Sequence, residues 1–188
     1  FFIFILLSII ILLIVDFPLN KLDHLHEGVS LSGAYNFYVT KNLWISSYIQ
    51  NSLFSDIFNA KISWFLSGKI SVGSLRFNHI FLRFITEIFI IIFSYFLSKS
   101  FCYNKNKEFL FFVIICSLSL YLNREMSEDF YPNRYRDIPL IIFLIMSLRL
   151  LTNNENNFSS SLCIGVLSIL SIAWSLDKGI YLNATLFF

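Results

Sequence analysis

Apolar residues fall in six runs along the chain, at 1–15, 80–97, 109–122, 138–151, 161–176 and 180–188. A helix perpendicular to a bilayer needs about 20 apolar residues to cross the hydrocarbon core, with a range near 17–25. The run 80–97 meets that length. The other complete runs have 14 to 16 residues and reach it by borrowing flanking Tyr, Asn and Lys, whose polar ends snorkel to the interface. Any one short run also suits the core helix of a soluble protein. Six in series predict an all-α, polytopic transmembrane helix bundle, carried on a single module over 1–188.

Between the first two runs lies a long segment, 16–79, with a pattern of its own. Leu53, Phe54, Ile57, Phe58, Ile62, Phe65 and Leu66 fall on one helical face, and Ser52, Ser55, Asp56, Asn59, Ser63 and Ser67 on the other. That alternation predicts an amphipathic helix lying in the membrane surface, its polar stripe turned to water. A second, less regular helix is expected from about His26 to Tyr38. Trp44 and Tyr48 suit the headgroup level, and Gly68 and Gly73 punctuate the return into the run at 80–97.

Composition agrees with the pattern. Of 188 residues, 56% are hydrophobic and only 14% charged, against about 25% charged in an ordinary soluble domain. The mean hydropathy is +0.69. Both ends lie inside apolar runs, so the chain is expected to be a segment of a longer protein. A net charge of +2, with Lys and Arg scattered, gives no basic stripe and so no nucleic-acid surface. Cys102, Cys116 and Cys163 are far apart, and the last two lie in or beside apolar runs. Inert buried thiols are expected rather than a disulfide framework.

If all six runs cross, the segments 16–79, 123–137 and 177–179 share one side, and 98–108 and 152–160 the other. Lys99, Lys105, Lys107 and Arg149 mark the second side. Arg124, Arg134, Arg136 and Lys178 mark the first. The positive-inside rule therefore does not choose an orientation.

The candidate chemistry gathers on the first side. Asp23 and Glu27 are four residues apart, a helical spacing that points both carboxylates from one face. Such a pair can act as a general base, hold a divalent cation or bind an acceptor hydroxyl; equally, it can be two solvated acids outside a span. His24 and His26 are possible metal ligands, but His-x-His in a loop is a weak pattern, and neither metal nor cofactor is predicted. Asp56 lies on the polar stripe. Arg134 and Arg136, beside Asp137, suit either a phosphate, through bidentate guanidinium contacts, or a local salt bridge at a helix end. Asp177 and Lys178 follow Trp174 and Ser175. Arg83 and Glu87 sit at i, i+4 within or beside a span, where an isolated charge costs about 2.5–3.5 kcal/mol on insertion scales, so they are expected to pair or to face a polar cavity. His79 is read as an interfacial residue. Asn183-Ala184-Thr185 fits a glycosylation sequon by chance.

These motifs resemble those of the GT-C superfamily of polytopic membrane glycosyltransferases. The resemblance rests on Asp23-His24-Leu25-His26-Glu27-Gly28 followed by Ala34-Tyr35, and on Asp56-Ile57-Phe58-Asn59-Ala60-Lys61-Ile62-Ser63-Trp64-Phe65-Leu66-Ser67-Gly68 leading to Ser71-Val72-Gly73-Ser74-Leu75-Arg76. It extends to Tyr135-Arg136-Asp137 and to Trp174-Ser175-Leu176-Asp177-Lys178-Gly179-Ile180-Tyr181. It covers nearly the whole chain, as the front part of a family member. The acid motif lacks a plain Asp-Glu doublet, so either Asp23 or Glu27 matches the family's catalytic acid. A Pro-rich stretch of some relatives is absent.

The resemblance implies that 16–79 is an extracytoplasmic loop of a multi-pass plasma membrane protein, in bacteria the inner membrane. It implies a polyprenyl-phosphate-linked sugar as donor and a glycan or lipid as acceptor. Asp23 or Glu27 would be catalytic; His26, Asp56, Arg134, Arg136, Asp137, Asp177 and Lys178 would bind substrate. A transporter or flippase for a lipid-linked substrate, or a non-catalytic assembly subunit, are the alternatives from other classes.

Overall fold

The computed structural model describes residues 3, 6, 26–43, 49, 52–125, 133–153 and 158–186. Every regular element among them is helical, and no strand occurs among the described residues, which meets the all-α expectation. In chain order, α1 spans His26–Thr40; a π-helical turn, Phe54–Phe58, runs directly into α2, Asn59–Ser67; α3 spans Val72–Phe101. There follow α4, Lys105–Glu125, a 3-10 turn, Asn133–Asp137, and α5, Ile138–Asn153. The last pair is α6, Phe158–Trp174, and α7, Leu176–Leu186.

Local chemistry sets the boundaries. Gly68 ends α2 at φ 65°, the left-handed conformation that a residue without Cβ adopts at no steric cost. Ser71 caps α3 by accepting from the Ser74 N–H, satisfying one of the orphan donors of a first turn. Pro139 lies one residue inside α5, where its missing N–H is not needed. Between α6 and α7 the chain reverses at Ser175. Asn183 donates to the Ser168 carbonyl at 3.1 Å and accepts from the Ser168 hydroxyl, so α7 folds back antiparallel on α6. The same amide donates to the Gly179 carbonyl at 2.8 Å, which engages the sequon asparagine within the hairpin.

The helices pack in alternating directions. Ile91 of α3 meets Phe112 and Cys116 of α4, and Tyr95 lies edge-on to Phe112. Leu82 of α3 packs on Ile138, and farther along Ile90 packs on Ile141 and Ile145. At its far end Phe96 lies under Arg149, 5.9 Å from the ring centroid. So α3 and α5 run parallel, and α4, which lies between them in sequence, returns antiparallel against α3. The starts of α3, α5 and α7 therefore share one end of the bundle.

The expected runs at 80–97, 109–122, 138–151 and 161–176 fall on α3, α4, α5 and α6, and 180–188 falls largely on α7. Among the described residues one helix, α3, is long and apolar enough to cross a membrane by length and composition; the apolar stretch Ser161–Trp174 is shorter. The run at 1–15 lies outside the described residues apart from Ile3 and Leu6. Within 16–79, helix α1 begins at His26 as expected.

The orientation of the amphipathic stretch differs from the sequence expectation. Of the polar stripe, Ser52, Ser55, Asp56, Asn59 and Ser63 are buried and Ser67 is exposed; of the apolar face, Ile62, Phe65 and Leu66 are exposed and Ile57 is buried. Up to Ser63 the stripe faces the protein, not water. The physical reason is the partner it meets. On α3, Asn78, His79, Arg83, Thr86 and Glu87 are also buried, while Phe77 and Phe81 face outward. The two polar stripes meet at Asn59, which bonds both Asn78 and His79. Ser63 and Thr86 are satisfied by carbonyls of their own helices, so these buried polar groups are not left to an apolar surround.

Of the cysteines, Cys116 is buried as expected, Cys102 is intermediate, and Cys163 is exposed on α6; all three are free thiols.

Candidate functional site

The site at the shared end of the bundle is built from three short irregular stretches: the π-helical turn, the 3-10 turn and the α6–α7 reversal. Phe54 lies flat on Trp174 with centroids 3.7 Å apart and edge-on to Tyr135 at 6.0 Å. The Trp174 indole N–H donates to the Tyr135 carbonyl at 2.7 Å. Ser52 donates to the Trp174 carbonyl at 2.6 Å. Its hydroxyl also lies 2.6 Å from that of Ser55, and the Ser55 carbonyl accepts from Ser30 of α1 at 2.8 Å. These contacts link four separate stretches of chain through buried polar atoms, where an unmade bond costs about 1–3 kcal/mol.

On this aromatic base sits a quartet of charges arranged in crossed pairs. Arg136 of the 3-10 turn donates to Asp177 at 2.7 Å and, through Nε, to Ser175 at 3.0 Å. Lys178 pairs with Asp137 at 3.1 Å. Each element thus supplies one acid and one base, and each base takes the other element's acid. Both acids stand at helix starts, where the partial positive charge of unpaired N–H groups favours them.

Burial alone would push the Asp177 carboxyl up. The Ser175 hydroxyl, the Lys178 backbone N–H and the Arg136 and Lys178 charges outweigh it and hold the group below its ordinary value of 3.8. A carboxyl lowered on folding contributes stability that is present above its unfolded value and lost as pH falls through the lower folded one. The parent protein is therefore expected to lose thermal stability on acidification below about pH 4, and Asp177→Asn to lose less over the same range. Melting curves between pH 6 and pH 3 check this; identical acid limbs would show that the quartet does not couple to folding.

Beneath the quartet lies a buried chain of side chains. Asn78 donates its amide to Asn59 Oδ1 at 2.5 Å. That bond fixes which end of the Asn59 amide is oxygen. The other end, Nδ2, lies 2.5 Å from His79 Nε2, and since it can only donate, His79 accepts through Nε2 and carries its proton on Nδ1. His79 stacks on Tyr135 at 5.3 Å. Glu27 completes the group. Both its oxygens accept from Arg76, at 2.6 and 2.7 Å, and its side chain is 4% exposed. One turn deeper, Arg83 and Glu87 pair at 3.4 Å, almost wholly buried, as their spacing predicts.

The structure thus brings together Glu27, Asp56, Arg136, Asp137, Asp177 and Lys178 at one end of the bundle. Asp56 is buried at 1% exposure and accepts from the Ser52 N–H at 3.3 Å, so it organises the π-helical turn from inside. Asp23 lies outside the described residues. His26 opens α1, and Arg134 lies on the 3-10 turn. His79 is a correction to the sequence reading: it is 2% exposed and part of the polar core, not an interfacial side chain. Asn59, Asn78, Ser52 and Ser175 were missed as site residues. The available signal was polar residues at three- and four-residue spacing on α3, from Arg76 through His79 and Arg83 to Glu87, in an otherwise apolar helix. Among the described residues no three His, Cys, Asp or Glu side chains gather as a metal site.

Comparison with protein-family models, with curated proteins and with solved structures found no match to this chain.

Proposed function

We propose that the chain is part of a multi-pass membrane protein that moves a sugar from a polyprenyl-phosphate carrier to an extracytoplasmic acceptor. The observation that carries the reading is the gathering of Glu27, Asp56, Arg136, Asp137, Asp177 and Lys178, distant in sequence, at one end of a bundle. The inverted polarity of α2 and α3, polar inside and apolar outside, supports a lipid surround.

In this reading Asp23 takes the proton of an acceptor hydroxyl. The oxygen forms a bond to the anomeric carbon as the carbon–oxygen bond to the lipid phosphate breaks, and the electron pair leaves on the phosphate. Arg136, Arg134 and Lys178 offset the charge that develops there. Glu27, held by both guanidinium contacts of Arg76, is assigned to positioning α1, which leaves Asp23 as the base. A general base contributes about 10²–10⁴-fold. Asp23→Asn is expected to lower turnover by that factor in a transfer assay with a polyprenyl-phosphate sugar donor, at unchanged expression. Parent-like turnover by Asp23→Asn would remove the proposed base.

The crossed pairs favour a second reading. Arg136, Asp137, Asp177 and Lys178 already have partners of opposite sign within the protein, as a subunit that only assembles would require. Alanine at Asp23, Arg136 and Asp177 tolerated without loss of surface glycan would select that reading.

A further inference from the structure

The end of the bundle also carries a groove that the crossed charges do not touch. It lies between α2 and the first turns of α3 and encloses about 370 Å³, within the size range of small-molecule sites. Leu66, Phe77 and Phe81 form its walls, and Ser67, Ser74 and Asn78 also line it. The three apolar walls are exposed, Phe77 at 72% and Leu66 at 73%. Asn78 is buried and already donates to Asn59, so it closes the bottom of the groove and leaves the walls to select the occupant.

The charge around the groove is one-sided. None of its lining residues carries a carboxylate. Ser67, which lines the groove, donates to the carbonyl of Lys69 at 3.1 Å, so the backbone of this exposed lysine lies beside the α2 end of the groove. The start of α3, at Val72, adds the positive end of a 30-residue helix beside it. An apolar slot with a cation at its mouth fits an amphiphile with a hydrocarbon chain and an anionic head. Phe81 of the groove wall is exposed, as are Ile62 and Phe65 on α2, which offers such a chain further apolar surface.

We propose that the α2–α3 groove binds one acyl chain of an anionic phospholipid, with the lipid phosphate on Lys69. This rests on the membrane placement proposed above. It does not depend on the transferase chemistry.

The test uses the protein in bilayers of phosphatidylcholine containing phosphatidylglycerol, with brominated chains on one lipid or the other. Phe77→Trp places a reporter on the groove wall at an exposed aromatic position. Ile169→Trp, on the exposed face of α6, reports general lipid contact; each is read against the parent's own tryptophan signal. The expected result is quenching at position 77 that favours brominated phosphatidylglycerol about fivefold, the preference one lysine near an anionic surface supplies. Lys69→Gln should abolish that preference and leave position 169 unchanged. Equal quenching at 77 by both lipids overturns the headgroup site while the membrane placement stands. No quenching at 77 with quenching at 169 overturns the groove as a lipid site, and a dimer in that case hands it to a second copy. Absence of quenching at both positions overturns the membrane placement itself.

Discussion

Replacing Arg76 with Met is expected to cost the fold about 3 kcal/mol, the lower end of what breaking a buried pair costs. The reason is the geometry of the partner. Glu27 is 4% exposed and takes both guanidinium donors at 2.6 and 2.7 Å. Such two-pronged bonds are shorter and stronger than neutral ones. Without the guanidinium the carboxylate stays in a desolvated place with its main counter-charge gone. Removing both partners is less severe, because no orphaned charge is left behind. Glu27→Gln combined with Arg76→Met should therefore be more stable than Arg76→Met alone. A denaturation series on the two single variants and the double checks this as a cycle. Additive losses would show that the two side chains act independently and that α1 is held on α3 by other contacts.

The second large effect belongs to Gly179. A Cβ built there would lie 2.6 Å from both the Cα and the N of Ile172, and 2.8 Å from the Ser171 carbonyl carbon. These are backbone atoms, so no side chain can swing away, and α7 would have to lift off α6. Overpacking in a fitted core costs about 1–3 kcal/mol, and a clash with backbone belongs at the upper end. Gly179→Ala is expected to destabilise by about 3 kcal/mol and to loosen the reversal that carries Asp177 and Lys178. Gly165 on α6 is the control, since an added Cβ there meets nothing within 4 Å. In a helix interior Ala gains up to about 1 kcal/mol over Gly, so Gly165→Ala should be neutral or stabilising. Equal thermal shifts for the two variants would contradict the close approach of α7 to Ile172.

The helical class was legible in the sequence because the apolar runs are long and their flanks polar. So was the meeting of Asp56, Arg136 and Asp177, since alternating helices put every second connection at the same end. The direction of the polar stripe was not legible. A stripe of Ser52, Ser55, Asp56, Asn59 and Ser63 looks the same whether it meets water or another polar surface. The answer lay on α3, where Asn78 and His79 are too few to interrupt an apolar average yet fall in register with Asn59. The crossed pairing of Arg136 with Asp177 and of Lys178 with Asp137 was hidden for a similar reason. Adjacent acids and bases in sequence suggest local bridges, and only the packing of the 3-10 turn on the α6–α7 reversal exchanges the partners.

The placement of Arg83 and Glu87 on a single helix has a consequence for biogenesis. Because donor and acceptor lie one turn apart on the same segment, α3 conceals its deepest charges before any neighbour arrives. Under the membrane placement proposed above, α3 would partition into the bilayer as a unit and serve as the template on which α1, α2 and α5 later settle. Arg76, whose carboxylate partner Glu27 comes from α1, would under the same proposal find its counter-charge only at that second stage.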